Sequence, residues 1–513
     1  MRLLAIAALL LAAAPAAAAE PTPLLSIALN ADIRSSNPGV QRDFNSDVVL
    51  SHVTEGLVAL REDQTPVPML AEAIEVSPDG TAYTFRLRDG VTFHDGRPLT
   101  SAEVAWSWKR YLDPATQWQC LERFDGRSGP KVLAVETPDP RTVVFRLDRR
   151  SALFLVNMAT IQCGAVVLSP SSLGPDGAWI KPVGTGPYVF ADWQKNRHVE
   201  LTRFDGYKPV PGERDGLAGG KQALAEKLRF VVIPDRSVMN AALLSGQVDI
   251  VPDVGATEIE TMKAAGAQVT VTPTLSWAVL LLQTRDPLLS DARVRQALAR
   301  AIDGKQVAEA ASFGLATPNP SAIATASAYH RDADAVWPAY DPAEATKLLQ
   351  EAGRAGASIR IQTNNRPTGQ HEAALMIQGL LAGAGLDAQI ETLDWATQLQ
   401  NYREGKFQAS VFTYSGRPDP ALAFDSIIGS KDEDPTSQWE DPEAIAWLAE
   451  AKTVEDKAAR QAIFDRLHAR MAEQVPVIGL FNPVQVTAVG PKVRGYADWA
   501  PGTARLWGVW KEQ

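Results

Sequence analysis

The sequence predicts an α/β protein of two or three domains. Short strands alternate with amphipathic helices through its second half, as at residues 359–361, 372–383 and 387–390. About 494 residues follow a leader-like segment, too many for one compact core. Gly and Pro number 36 and 35 of 513 but are dispersed, which suits a folded chain with many turns rather than a disordered one.

Residues 1–19 carry Arg2, an apolar run and the stretch PAAAA before Glu20. That pattern is a secretory signal, cleaved near residue 19. A buried or membrane helix is the other reading, but Pro15 and the alanine cluster favour cleavage. The run has no cysteine, so a lipid-anchored start is not expected. The net charge of -10 argues against nucleic acid and supplies no basic tail for anionic lipid. It leaves room for an anionic small ligand, because one local arginine can dominate a closed cleft. Cys120 and Cys163 fit no metal spacing and read as either a disulfide or two separate thiols.

In chain order, residues 24–29 read as a strand and Asn30 to Gly39 as a polar loop. Residues 48–60 read as helical. Tyr83, Phe85 and Leu87 alternate with polar neighbours, the period of a half-buried strand. Asp89-Gly90 is a turn, residues 91–93 a second short strand, and Thr100 or Ser101 an N-cap with Glu103 in the first turn. Val104, Trp108 and Tyr111 then share one helix face. Strands follow at 132–136 and 142–147, a helical run at 154–158 and a strand at 166–168. Residues 183–188, VGTGPY, are glycine-rich but lack the Lys-Ser or Lys-Thr of a phosphate loop. Residues 209–220 read as a surface loop, 228–233 as a strand, 236–244 as a helix and 248–250 as a short strand. Residues 277–282 are an apolar strand, and 290–302 an amphipathic helix packed through Val294, Leu298, Ala301 and Ile302. A helix at 341–352 is closed by Gly353. Trp395 precedes a helix through Tyr402, residues 407–413 form a central strand, and 414–420 form its exit loop. Two mixed-charge helices at 442–451 and 457–471 lead to strands at 475–480 and 484–486. The tail 506–510 reads as a terminal strand.

Four phrases resemble one family. FRLRDGVTFHDGRPLTSAEVAWSWKR, VGTGPYVF, LLSGQVDIVPDV and VRQALARAID occur in the order and spacing of the large extracytoplasmic solute-binding proteins that serve peptide, opine and nickel ABC importers. The resemblance implies a large two-lobe periplasmic-binding-protein fold, type II-like and of cluster C, with an accessory subdomain and two hinge crossovers. It divides the chain into the signal 1–19, a first lobe from 20–58, 181–273 and 484–513, an accessory subdomain 59–180 and a second lobe 274–483. It further implies a monomer in the periplasm that binds a small solute reversibly, meets a membrane permease transiently, and needs no cofactor, catalytic residue or metal.

The exit loop Tyr414-Ser415-Gly416-Arg417-Pro418-Asp419-Pro420 carries the sharpest ligand clue. In similar peptide binders an aspartate upstream of the Asp-Pro pairs with the peptide ammonium. Aligning Asp419-Pro420 puts Gly416 at that position, so the acid is missing and Arg417 stands beside the gap. Arg417 is therefore a candidate clamp for a carboxylate or phosphate, with a structural bridge to Asp419 or another loop acid as the alternative, and Asp419 is itself a candidate ligand contact. Trp277, Trp395 and Tyr414 are candidate apolar walls, Asn30 lies in a loop that similar proteins bring to the cleft, and Trp118 is a reserve candidate from the accessory region. The ligand expected is a peptide-like or opine-like solute with an anionic group. An anionic sugar conjugate and a chelated nickel ion are alternatives within the family. The six histidines, His52, His94, His198, His330, His371 and His468, make no compact metal spacing. A secreted hydrolase is the alternative outside the family, without a GxSxG or HExxH motif to support it.

Overall fold

The computed structural model describes residues 22–366 and 369–512, so the expected signal lies outside the described residues. Three sheets organise the chain. The first has seven strands in the order Tyr188–Gln194, His198–Arg203, Lys227–Val232, Leu25–Leu29, Ile250–Val251, Val484–Val489 and Gln268–Pro273. Leu25–Leu29 sits at its centre, buried at every residue and parallel to Lys227–Val232. Leu25, Ile27, Ala28 and Leu29 suit a strand covered on both faces, and Ser26 is accommodated there because its N–H and Oγ both donate to Asp249 at 2.8 Å. The second sheet has five strands in the order Asp387–Leu393, Ser358–Asn364, Ala409–Tyr414, Trp277–Leu282 and Val477–Phe481. The two sheets with their helices form the two lobes of an α/β periplasmic-binding-protein-like fold.

A third, four-stranded antiparallel sheet runs Ala71–Val76, Ala82–Leu87, Thr142–Leu147 and Val132–Asp139. Its helix, Ser101–Leu112, begins with a capping box between Thr100 and Glu103. Trp108 and Tyr111 lie on that helix's packed face and are fully buried, with Trp108 edge-on to Phe145 at 4.9 Å. The alternation at Tyr83, Phe85 and Leu87 thus buries three side chains beneath a helix whose own spacing matches. Cys120 and Cys163 form a disulfide.

The chain passes from the seven-stranded sheet to the five-stranded sheet after Pro273 and returns after Phe481. The crossings lie side by side: the Thr274 N–H and Oγ1 both donate to the Pro483 carbonyl, at 2.9 and 2.7 Å. The antiparallel ladder of Gln268–Pro273 with Val484–Val489 continues past this point as that of Trp277–Leu282 with Val477–Phe481.

Several local expectations change. The helix expected over 48–60 runs Phe44–Leu50: Asp43 caps it, so it begins four residues earlier, and Glu55–Gly56 and Val58–Leu60 are short strands instead. Residues 91–93 form an isolated bridge between Thr92 and Pro98 rather than a strand. The loop 209–220 holds a two-residue hairpin, Arg214–Asp215 with Ala218–Gly219. The terminal strand is only Trp510–Lys511, since Trp507 packs into the core instead of pairing. A helix at Gly304–Ser312 escaped the pattern because Gly304 opens it; Asp303 supplies the cap and Phe313 closes it in the left-handed conformation.

Candidate ligand-binding cleft

The strands Leu25–Leu29, Ile250–Val251 and Ser358–Asn364 end facing the space between the lobes, beside the paired crossings. In open α/β sheets the loops that leave such strand ends line the ligand crevice. Here they enclose a cavity of about 720 Å³. The first lobe contributes Asn30, Phe44 and Arg236, the second Ser276, Phe313 and Arg366, and the crossing strand Gln485 lies between them. Phe44 and Phe313 are 45% and 66% exposed and border this cavity from the two sides. Asn30 Oδ1 accepts from Asn45 Nδ2 at 3.1 Å, which orients it at the cavity wall. Arg236 pairs with Asp253 at 3.1 Å. Arg366 lies over the Trp395 ring at 4.9 Å, and Glu372 borders the same space from the first turn of the helix Gln370–Gly383.

A second, smaller pocket of about 20 Å³ lies in the second lobe. Trp277, Tyr414, Arg417, Ser327 and Ser426 line it. Trp277 and Tyr414 are opposite one another in adjacent strands, so their rings stack at 6.2 Å. Trp277 Nε1 donates to the Asn319 carbonyl at 3.3 Å, fixing the indole. Burial pushes the Tyr414 hydroxyl well above its ordinary value, and that hydroxyl has no hydrogen-bond partner among the described residues. Arg417 is half-buried, and burial, the main influence on it, lowers its pKa. Among the described residues it makes no ion pair and no hydrogen bond. Its guanidinium therefore keeps its donors for an anionic partner.

The predicted residues therefore divide. Trp277, Tyr414 and Arg417 come together in the smaller pocket. Asn30 lines the larger cavity, and Trp395 reaches it through Arg366. The other two lie elsewhere. Trp118 is 3% exposed in the accessory core, where its Nε1 donates to the Cys163 carbonyl and its ring tilts against Tyr111 at 4.8 Å. A tryptophan in a loop reads more readily as packing than as recognition, and Trp118 packs. Asp419 does not bridge Arg417. Its two oxygens each accept from Arg460 at 2.7 Å, and Oδ1 also takes the Ala421 N–H at 2.9 Å as the cap of the helix Pro420–Asp425. Gly416 has no room for an acid: a Cβ there would meet Leu275 Cβ at 2.7 Å.

Arg366, Glu372, Phe44 and Phe313 were not singled out from sequence. The signal for Arg366 was its position just after the strand Ser358–Asn364; the others carried none. Among the described residues, no group of three or more His, Cys, Asp or Glu is placed to hold a metal, and no helix is long and apolar enough to cross a membrane.

The profile of the bacterial extracellular solute-binding proteins, family 5 Middle, matches residues 65–435. The chain is 27% identical over 480 residues to heme-binding protein A of Haemophilus influenzae, covering 88% of this chain and 86% of that protein. It is 28% identical over 461 residues to the dipeptide-binding protein of Escherichia coli, covering 84% and 83%. Among solved structures it resembles the periplasmic binding protein AgaA of A. tumefacien R10 in complex with agropinic acid, with a TM-score of 0.75 and 26% identity over 96% of this chain and 99% of that one.

Proposed function

This chain belongs to family 5 of the bacterial extracellular solute-binding proteins, and on that premise we propose that it captures a peptide-like or opine-like solute with an anionic group between its lobes and delivers it to the permease of an ABC importer. Arg417 carries this reading. A half-buried guanidinium with no acidic partner among the described residues, beside the stacked Trp277 and Tyr414, suits a carboxylate attached to an apolar body, through charge-assisted bonds on one side and ring contact on the other. The neighbouring cavity, with Arg366 and Glu372 on one wall and Asn30 on the other, offers both signs of charge to the rest of such a solute. The relatives named for a dipeptide and for agropinic acid support the same class of ligand.

Uptake follows from the two crossings. Rotation about residues 273–276 and 481–484 opens and closes the space between a first lobe of 20–58, 181–273 and 484–513, with its accessory subdomain 59–180, and a second lobe of 274–483. A solute touching both lobes favours the closed state by its differential affinity for that state. The chain is exported, cleaved near residue 19, works as a periplasmic monomer, and meets the permease only transiently.

The test is native purification followed by mass spectrometry of the released solute, then calorimetry with that solute. Arg417→Ala should weaken binding about tenfold or more, the scale of a lost hydrogen bond to a charged group. Unchanged affinity would remove Arg417 from the site, and a released solute without an anionic group would overturn the ligand class.

A further inference from the structure

The cavity of about 720 Å³ between the lobes has two acids on its wall, Asp253 and Glu372. Asp253 is engaged, with both oxygens 3.1 Å from Arg236 Nη2. Glu372 is not: among the described residues its carboxylate has no ion-pair or hydrogen-bond partner. The acids of the exit loop and its helix are also taken, Asp419 by Arg460 and Asp425 by Lys452.

The local backbone explains why Glu372 is left over. Gly369 is the N-cap of the helix Gln370–Gly383, so Glu372 is its third residue, where a glutamate ordinarily folds back onto the N-cap N–H. Glu103 does this to Thr100 at 3.0 Å, and Glu258 to Gly255 at 3.1 Å. Both of those caps are extended, whereas Gly369 is left-handed, at φ 74°. Only glycine fits there, since a Cβ would stand 2.2 Å from the Ala311 carbonyl oxygen. The reciprocal bond is absent, and Glu372 borders the cavity instead.

A buried amide network holds this wall in place. Asn364 and Gln370 bond to each other, Gln370 Nε2 donates to Thr413 Oγ1 at 2.9 Å, and Asn364 Oδ1 accepts the Arg366 N–H at 3.0 Å. Glu372 lies two residues beyond one member of the network and Arg366 two beyond the other, so opposite charges border one cavity from a common anchor. Phe313, which ends the helix abutting Gly369 through Ala311, borders the same cavity, as does Phe44. Apolar rings limit the water around an ion pair formed there and raise its worth above that of a fully solvated pair.

We propose that Glu372 accepts a cationic nitrogen of the solute, an ammonium or guanidinium group, so that the cleft selects zwitterions over solutes that are only anionic. This rests on the reading of the cleft as a peptide-like or opine-like site and narrows its ligand class: an anionic sugar conjugate without an amine is disfavoured, because it leaves Glu372 without a partner.

Calorimetry on the full mature protein tests this with two probes that differ only in the ammonium, Ala-Phe and N-propionyl-phenylalanine. The wild type should bind Ala-Phe about tenfold or more tightly than N-propionyl-phenylalanine, the scale of a hydrogen bond to a charged group. Glu372→Gln should remove the preference by weakening Ala-Phe alone, with N-propionyl-phenylalanine held within about twofold. Its thermal unfolding should match the wild type, since the carboxylate holds nothing within the fold. Octopine, which carries a guanidinium and a secondary amine, should likewise lose about tenfold in Glu372→Gln. Equal binding of the two matched probes, a preference that survives Glu372→Gln, an equal loss for both probes, or unchanged octopine affinity overturns the role of Glu372 and leaves the broader reading standing. Failure of all three probes to bind the wild type overturns both.

Discussion

Asp419→Asn separates a structural from a ligand-binding role for the exit loop. Asp419 and Arg460 are joined by two bonds of 2.7 Å, and their side chains are 5% and 6% exposed. Burial works to lower the Arg460 pKa, and Asp419 more than offsets it, so the guanidinium is held above its ordinary value. Asparagine caps a helix about as well as aspartate, so the substitution keeps the Ala421 bond at Oδ1, removes the charge and sets an amide donor against Arg460 Nη1 where Oδ2 had accepted. Breaking a buried pair from one side costs about 3–5 kcal/mol, because the remaining ion is left uncompensated. Asp419→Ala should cost about 1 kcal/mol more, for the lost cap. Arg460 also donates to the Ala451 carbonyl at 3.1 Å and to the Tyr329 hydroxyl at 3.0 Å, so Asp419→Asn/Arg460→Met does not return fully to wild type. It should nevertheless be more stable than the sum of the two single changes by about 2 kcal/mol. Urea unfolding of ligand-free protein, followed by tryptophan fluorescence, measures all four species. Asp419→Asn within about 1 kcal/mol of wild type, or strict additivity in the cycle, would refute the buried-pair account. An affinity loss without a stability loss would return Asp419 to the ligand site.

Gly416→Asp, which would restore the acid of peptide binders, should lower stability by about 1–3 kcal/mol through the clash with Leu275, and should not improve binding of a free peptide amine; thermal unfolding and calorimetry check both halves. The Cys120–Cys163 disulfide spans a separation of 43 residues, so its reduction should cost about 4 kcal/mol by chain entropy; alkylation of both thiols in unreduced native protein would contradict the bond. His52 donates from Nδ1 to the Val48 carbonyl and accepts the Leu506 N–H at Nε2, a neutral tautomer set by two fixed partners. Burial, partly opposed by the Val48 bond, lowers its pKa from 6.5 to about 3. The unfolded chain therefore binds a proton that the folded one refuses, so stability from this residue is complete above pH 6.5 and is lost as pH falls towards 3, by about 1.4 kcal/mol per unit. Nitrogen-15 spectra at pH 5 should show Nε2 still unprotonated, and a titration near 6.5 would refute this.

Local pattern determined much of this protein from the sequence alone. Alternation at Tyr83–Leu87, the Val294 face and the unbroken run at 277–282 each repeat within a few residues, and burial follows that repeat because backbone geometry sets which side chains share a face. The same regularity made the α/β class and the family resemblance legible, and it brought Trp277, Tyr414 and Arg417 to notice through strand ends and one loop. Tertiary structure alone decided the partners. Arg460 takes Asp419 from 41 residues away, Cys163 carries Trp118 into a core, and Glu372 and Phe313 meet Asn30 and Phe44 across a space that exists only once the lobes are apposed. Periodicity records which face a residue occupies; it carries no term for what stands opposite, since that is set by contacts between segments far apart in the chain.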